Sequence, residues 1–294
     1  MSTTAQAQFV NQGVAGAQAA IGRLVQGGEF SVDPQLRELD GVGGQSVIRK
    51  GLTAVTLTGV EIFSPDLTYM NKFHRDAVGI QIAAFPDATV GVEGGALHYK
   101  IYSMESCQPA KLAVGCSAGA ELKATIDVWS ADTDDVDVTA ADFQESTALL
   151  GHTDNEVAVT IDGESYVTRE WSFEVDNQPE WDNDQDGKAA DSKTQPTGVL
   201  LGNEKITASC ITGKPIPITL YDMFDDEWIE GGALQVFPLL FLAENATAAQ
   251  DLLFTLPYMR PGRTNMPVTN AGKVGFRHEF KSMSNYAGLT IETP

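Results

Sequence analysis

The chain has 294 residues and a formal net charge of −21, from 40 acidic and 19 basic residues. This length suffices for one large domain or two smaller ones with a hydrophobic core. The charge argues against nucleic-acid binding by phosphate neutralisation, which requires clustered Lys and Arg. No run approaches the ~20 apolar residues of a membrane span. The first residues lack a secretory signal peptide, so we expect folding in a cytoplasm.

The first 45 residues form a segment of their own. Its first part is rich in Ala, Gln and Gly and contains few large apolar side chains. A short helix is predicted over residues 15–25, with Ile21, Leu24 and Val25 on one stripe. Such a segment buries too little apolar surface to fold alone. We therefore predict that residues 1–45 form an arm that becomes ordered on a neighbouring molecule.

After residue 45 the chain alternates apolar and polar residues, which is typical of half-buried β-strands. Turn formers recur about every ten residues, and helical periodicity is confined to residues 217–229. The fold class predicted is all-β, a β-sandwich or barrel with one or two flanking helices, long loops and the N-terminal arm. Strands are expected at residues 55–63, 97–102, 122–129, 166–175, 205–211, 233–242, 251–256 and 273–283.

The acidic residues concentrate in one part of the chain. Residues 131–191 contain eighteen acids and two bases, a net charge of −16 out of −21. This segment is interpreted either as a solvated face or as a surface that repels an anionic partner. The domain prediction is an arm (1–45), a first part of the sandwich (46–150), an acidic strand–loop insertion (151–200) and a second part of the sandwich (201–294).

Motifs for catalysis are lacking in the sequence. There is no nucleophile elbow, dinucleotide fingerprint or phosphate-binding loop. The histidines are scattered, and His98 and His278 are expected at solvent-facing strand positions. Cys107, Cys116 and Cys210 show no metal-ligand spacing, so we interpret them as small apolar residues of the core. The sequence therefore predicts a protein that is not an enzyme and has no cofactor.

One segment has the beginning of a calcium loop. Asp182, Asp184 and Asp186 alternate with other residues and precede Gly187, so three carboxylates can turn inward toward a hard cation. The twelfth position of such a loop is Lys193, where a bidentate Glu is needed. A solvated acidic loop is the preferred interpretation, and calcium binding is the alternative.

The order of segments between residues 45 and 290 resembles that of the phage tail tube protein family. A strand that ends at Asn177 is followed by a polar loop, a strand of small and polar residues, an acidic helix-like run and two further strands. The segments that resemble the family are residues 94–99, 115–129, 171–177, 195–198, 205–210, 221–224, 254–258 and 276–280.

This resemblance implies a structural virion protein of the viral tail. Subunits of this family close into rings, usually of six, and the rings stack into the tube through which viral DNA passes. The segments that begin at residues 117 and 270 are weakly similar, which leaves open an internal duplication. Three copies of a duplicated chain would make a pseudo-six-fold ring. The partners implied are other copies of the chain and further tail proteins, such as the tape measure, tail terminator and distal tail or baseplate proteins. The DNA would pass without sequence-specific binding, and no membrane is involved.

Two other functions remain open at this point. The chain would alternatively be another virion or surface β-sandwich protein, such as a capsid decoration or a calcium-dependent carbohydrate-binding module. A third hypothesis is a salt-adapted or acid-tolerant hydrolase, although the sequence identifies no pair of carboxylates as catalytic.

Overall fold

The chain folds almost entirely into antiparallel β-structure, which confirms the all-β prediction. The computed structural model describes residues 9–13, 17–20, 23–26, 28–33, 37–40, 46–49, 54–63, 67, 70–71, 74, 78–86, 92–93, 96–139, 158–182, 196–217, 220, 229–230, 233–234, 236–245, 251–265, 275–282 and 288–294.

The structure describes 23 strands. They are β1 (Phe9–Gly13), β2 (Ala17–Ala20), β3 (Arg23–Gln26), β4 (Glu29–Asp33), β5 (Arg37–Asp40), β6 (Ser46–Arg49), β7 (Ala54–Phe63), β8 (Val78–Pro86), β9 (Val92–Glu93), β10 (Ala96–Ser117), β11 (Lys123–Ser130), β12 (Asp132–Thr139), β13 (Ala158–Ile161), β14 (Glu164–Asp176), β15 (Pro179–Asp182), β16 (Gly198–Leu201), β17 (Lys205–Thr212), β18 (Ile229–Glu230), β19 (Ala233–Leu234), β20 (Phe237–Ala243), β21 (Leu252–Asn265), β22 (Phe276–Ser282) and β23 (Thr290–Glu292).

Six of these strands close on themselves, and we call them the closed sheet. β13 pairs with β14, β14 with β17, β17 with β22, β22 with β21, β21 with β20, and β20 returns to β13. Each strand alternates between inward and outward residues, as in β17, where Ile206, Ala208 and Cys210 are buried. Closure leaves these six strands without a free edge along the paired segments.

An aromatic cluster fills the interior of the closed sheet. Trp171 stacks on Phe241 with ring centroids 4.8 Å apart, and Phe173 and Phe254 complete the group. All four side chains are at most 2% exposed. Large aromatic rings contribute much of the apolar area buried in such a core.

The 22-residue strand β10 links the closed sheet to a second group of strands. Its second half pairs with β11 and β14, whereas its first half pairs with β8 and β12. The register shifts between Pro109 and Lys111, where the extra residue Ala110 accepts a hydrogen bond from the backbone N–H of Asn177 (3.0 Å). Such bulges bend a strand, so a single strand serves both groups.

The N-terminal segment is β-structure paired within its own chain. β1 pairs with β8, and β3 and β4 both lie along β7. Gly28 (φ 102°) separates β3 from β4, and a Cβ there would lie 2.9 Å from the Val60 side chain. The helix predicted over residues 15–25 is therefore wrong. Residues 17–20 form backbone hydrogen bonds with β1 and residues 23–26 form them with the edge of β7, and this pairing overrides a weak helical propensity.

Helical residues pack against one side of the core. Leu67, Met70, Asn71 and His74 are helical, and Met70 is fully buried. In the helix predicted over residues 217–229, Leu220 is helical and buried, whereas Ile229 already lies in β18. The rest of that prediction, apart from Pro217, lies outside the described residues.

Candidate interaction face

The outward face of the closed sheet and of the adjoining strands β10 and β11 forms a shallow trough, which we call the valley. Its floor consists of small residues on three adjacent strands, β10, β14 and β17. Gly115 lies opposite Ser172, and Ser172 lies opposite Ser209, so the three form one row across the sheet. Small side chains at consecutive positions of a row lower the floor relative to the flanking strands. The floor residues are Ala113, Gly115, Ser117, Ser172, Thr207 and Ser209.

Long charged side chains form the two walls of the valley. The row that contains Gly115 continues to Lys123 of β11 on one side, and to Glu279 of β22 and Arg263 of β21 on the other. The trough encloses a volume of about 950 Å³. Its charged lining residues are Glu121, Lys123, Glu170, Glu174, Arg263, Arg277, Glu279 and Lys281.

These lining residues are charge-balanced, with four acids and four bases, in a chain with 40 acids and 19 bases. A face that binds polyphosphate requires a net positive charge. The four carboxylates of the valley cancel the charge of its four bases, so this requirement is not met. A face that contacts another acidic protein needs the opposite property, namely less negative charge than the rest of the surface. The charge distribution therefore favours a protein partner.

Some of the cations are already paired inside the valley and along its rim. Arg277 donates to Glu170 (2.8 Å) and Lys111 donates to Glu174 (2.8 Å). That hydrogen bond to Glu174 raises the pKa of Lys111. Lys123 forms an ion pair with Glu61 on the neighbouring strand β7.

Two wall cations differ from the others. Within the described part of the chain, no carboxylate forms an ion pair with Arg263 or Lys281. Both side chains are exposed on the β21–β22 wall. Because Arg277 is paired with Glu170, the remaining charges of this wall, Arg263, Lys281 and Glu279, sum to +1.

A hairpin of the two short strands β15 and β16 folds over the same side of the sheet as the valley. β15 and β16 pair with each other beyond the ends of β14 and β17. Trp181 of β15 stacks on Trp129, with centroids 4.7 Å apart and planes inclined by 18°. Trp129 lies on the same face of β11 as Lys123 because the two are six residues apart in a regularly alternating strand. The hairpin therefore lies across the outward face of the sheet.

A buried asparagine, Asn177, holds the chain between β14 and β15, where the hairpin turns away from the sheet. We call this point the kink. Asn177 is fully buried, and its side-chain amide donates to the carbonyls of His74 (2.7 Å) and Pro109 (3.0 Å). The backbone carbonyl of Asn177 accepts from the N–H of Gly202 (2.9 Å), just after β16. His74 also contacts the buried carboxylate of Glu204, with Nε2 and Oε1 3.0 Å apart. One side chain thus joins a helix, the bulge of β10 and the kink.

The segment proposed for calcium begins at the end of β15. Asp182 is the last residue of β15, and its carbonyl accepts a hydrogen bond from Thr197 (2.7 Å). Asp184 and Asp186 lie outside the described residues. In the described ranges, no three His, Cys, Asp or Glu side chains form a group that could hold a metal ion. The calcium site remains a prediction.

The three cysteines are buried free thiols, as predicted. Burial raises the pKa of the Cys210 thiol to about 12. A thiol with this pKa stays protonated and unreactive near neutral pH.

The prediction for His278 is wrong. His278 is fully buried, because it shares the inward face of β22 with Phe280. The Thr212 hydroxyl donates to the carbonyl of Lys214 (2.5 Å) and therefore accepts from Nε2–H of His278 (2.9 Å). Burial lowers the pKa of His278 to about 4. This histidine is a neutral member of a buried hydrogen-bond chain. His98 lies on β10, and its side chain is outside the described residues.

We predict that His278 makes the protein less stable as the pH falls from about 6.5 to about 4. In this range the unfolded chain binds a proton at His278 and the folded chain does not, so acid favours unfolding. The loss approaches about 2–3 kcal/mol at the lower end. Urea unfolding of the wild type and His278→Gln at pH 7 and pH 4.5 measures it. Because the variant shares all the carboxylates, parallel pH dependences in both proteins would contradict the prediction.

Comparisons with known proteins assign no family to this chain. No family model matches it, and no curated protein shows significant sequence similarity. Of the helical residues that are described, none belongs to a helix long and apolar enough to cross a membrane.

Sequence reasoning missed the valley. The signal was present as small or hydroxyl residues at outward positions of three strands, such as Gly115, Ser172 and Ser209. Each looks like an ordinary solvent-facing strand position on its own. They form one surface only because the register aligns them.

Proposed function

We propose that this chain is a structural virion protein that polymerises into stacked rings, forming the tail tube through which viral DNA passes. The observation that carries the proposal is the valley, a broad face with balanced charge on a protein of net charge −21. Copies of so acidic a protein repel one another over most of their surface. A face on which this repulsion is absent is the natural contact for assembly.

The architecture supports the same role. A rigid closed sheet provides a body, and β10 extends the chain into a second group of strands. Elements at different ends of one subunit favour heterologous contacts, which generate rings when the rotation closes and filaments when it does not. The resemblance in segment order to phage tail tube proteins gives this assembly its biological setting. The partners proposed are other copies of the chain and the proteins at the two ends of the tail.

The charge also suits a DNA conduit. A tube with an acidic lumen repels the phosphate backbone and lets the DNA slide without sequence-specific binding. The role requires no catalytic turnover, and the described buried residues His278 and Cys210 serve in packing and hydrogen bonding.

Negative-stain electron microscopy of the purified protein over a concentration series tests the proposal. We expect rings or hollow stacked tubes, with a ring symmetry of six, or of three if the chain is duplicated. Single subunits at every concentration would contradict spontaneous polymerisation. A calcium-dependent increase in melting temperature without assembly would instead favour the alternative of a calcium-dependent binding module.

A further inference from the structure

We propose that the valley docks a second copy of this chain through that copy's acidic strand β12, with Arg263 and Lys281 as the receiving cations. This inference rests on the proposed function and names the contact that would build the assembly. The strand β12 carries four aspartates among its eight residues, Asp132, Asp134, Asp135 and Asp137.

Strand β12 lies at an edge of the described part of its sheet. Among the described strands it pairs only with β10, so its other edge has no partner there. Aspartates on an edge strand prevent indiscriminate pairing with other sheets. They still permit docking where the partner surface supplies cations. The β21–β22 wall of the valley supplies Arg263 and Lys281, which have no carboxylate partner among the described residues.

The geometry of β10 places the two complementary surfaces apart within one molecule. The valley floor includes Gly115, in the second half of β10, whereas Asp132 of β12 lies opposite Glu105, in the first half. Ten residues of extended strand separate these positions, which is roughly 33 Å along the strand. Arg263 lies four further strands away from β10, across β14, β17 and β22. The contact is therefore made between molecules.

Such a contact joins the head of one subunit to the tail of the next. Strand β12 of one copy contacts the valley of the next, so the interface is heterologous. After every addition one valley and one β12 strand remain free. The contact can therefore propagate until a ring closes. The four carboxylates of the valley disfavour phosphate, whereas the serine and threonine floor offers hydrogen bonds to a docked strand.

Charge exchange between the two surfaces tests the inference. In Arg263→Glu/Lys281→Glu the receiving wall becomes acidic. Asp132→Lys/Asp134→Lys and Asp135→Lys/Asp137→Lys reverse the charge of β12 in two separate pairs of residues. Analytical ultracentrifugation at constant ionic strength, with electron microscopy of the same samples, gives the concentration needed for assembly.

We expect the wall variant, and one of the two β12 variants, to require roughly ten-fold or more higher concentration for assembly than the wild type. Mixing these two variants should restore assembly, since each reversed surface then meets a reversed partner and each native surface meets a native one. Lys214→Glu is the control for added negative charge, because Lys214 is exposed and lies outside the valley, paired with Glu164. It should assemble like the wild type.

The outcomes separate this inference from the proposed function. Assembly of the wild type that is unchanged in the wall variant, or loss that mixing does not restore, would overturn the docking of β12 in the valley while leaving the tube proposal in place. A wild type that stays monomeric at every concentration would overturn both. Thermal melts of each variant verify that the subunit itself is folded.

Discussion

Replacing Trp171 by Ala should destabilise the protein by about 3–5 kcal/mol, the largest effect we expect from a single truncation. The side chain is 1% exposed and lies at the centre of the aromatic cluster. It stacks on Phe241 at 4.8 Å and also contacts Phe173 and Phe254. Alanine would remove most of this buried area and leave a cavity inside the closed sheet, which cannot collapse freely. Urea unfolding at pH 7, followed by far-UV circular dichroism, measures the change.

Trp171→Phe separates ring packing from the polar atom of the indole. The Nε1–H of Trp171 is buried and has no hydrogen-bond partner in the described structure. An unsatisfied buried donor is unfavourable by about 1–3 kcal/mol, so its removal offsets part of the loss of ring area. We expect Trp171→Phe to be clearly milder than Trp171→Ala. Val167→Ala, at a position of the same strand that is 79% exposed, should change stability by less than about 0.5 kcal/mol. Equal losses in all three variants would refute the central role of the indole.

Replacing Asn177 by Asp should destabilise the protein by about 3–5 kcal/mol at pH 7, although the two side chains have almost the same shape. The amide of Asn177 donates to two carbonyls, those of His74 and Pro109. A carboxylate cannot donate, so both carbonyls would lose their partner and face a buried negative charge. Asn177→Ala loses the same bonds without adding a charge, and we expect a smaller loss of about 2–3 kcal/mol.

The Asn177 variants should also release the hairpin from the outward face of the sheet. Asn177 is hydrogen-bonded where the chain turns from β14 into the hairpin that carries Trp181, so we expect the stack of Trp181 on Trp129 to weaken when these bonds are lost. We expect near-UV circular dichroism of the tryptophans to weaken in Asn177→Ala under conditions in which the protein remains folded. Asn203→Asp adds the same charge at an exposed position of the same kink and serves as the control. A control that loses as much stability as Asn177→Asp would show that the charge, and not the amide bonds, matters.

Local pattern alone predicted much of the β-structure. Tyr166, Trp171 and Phe173 fall in a segment where apolar and polar residues alternate, and the segment lies within β14. The same is true of the segments that became β7, β11, β17 and β22. In a half-buried strand, successive side chains face the core and the solvent alternately. Each such strand can therefore be predicted from its own residues. The pattern also contained the burial of His278, since Phe276 and Phe280 lie two residues away on the same face.

The bulge in β14 and the role of Asn177 could not be predicted from the local sequence. The change of inward face between Thr168 and Trp171 results from a bulge, at the point where β14 exchanges its neighbour β13 for β10. Asn177 looks like an ordinary turn residue, yet it is fully buried and connects three segments. Nothing in the neighbouring residues indicates these partners, because they are 68 and 103 positions away along the chain.

The sequence by itself determined the all-β class, the positions of five of the six strands of the closed sheet, the buried cysteines and the acidity of the chain. Only the tertiary structure decided that residues 17–20 and 23–26 are strands, because β1 and the edge of β7 complete their hydrogen bonds. Only the tertiary structure made the valley, because Gly115, Ser172 and Ser209 come from three strands aligned by their register. Alternation is a property of each strand and its own burial, whereas a surface is a property of pairings between residues distant in sequence.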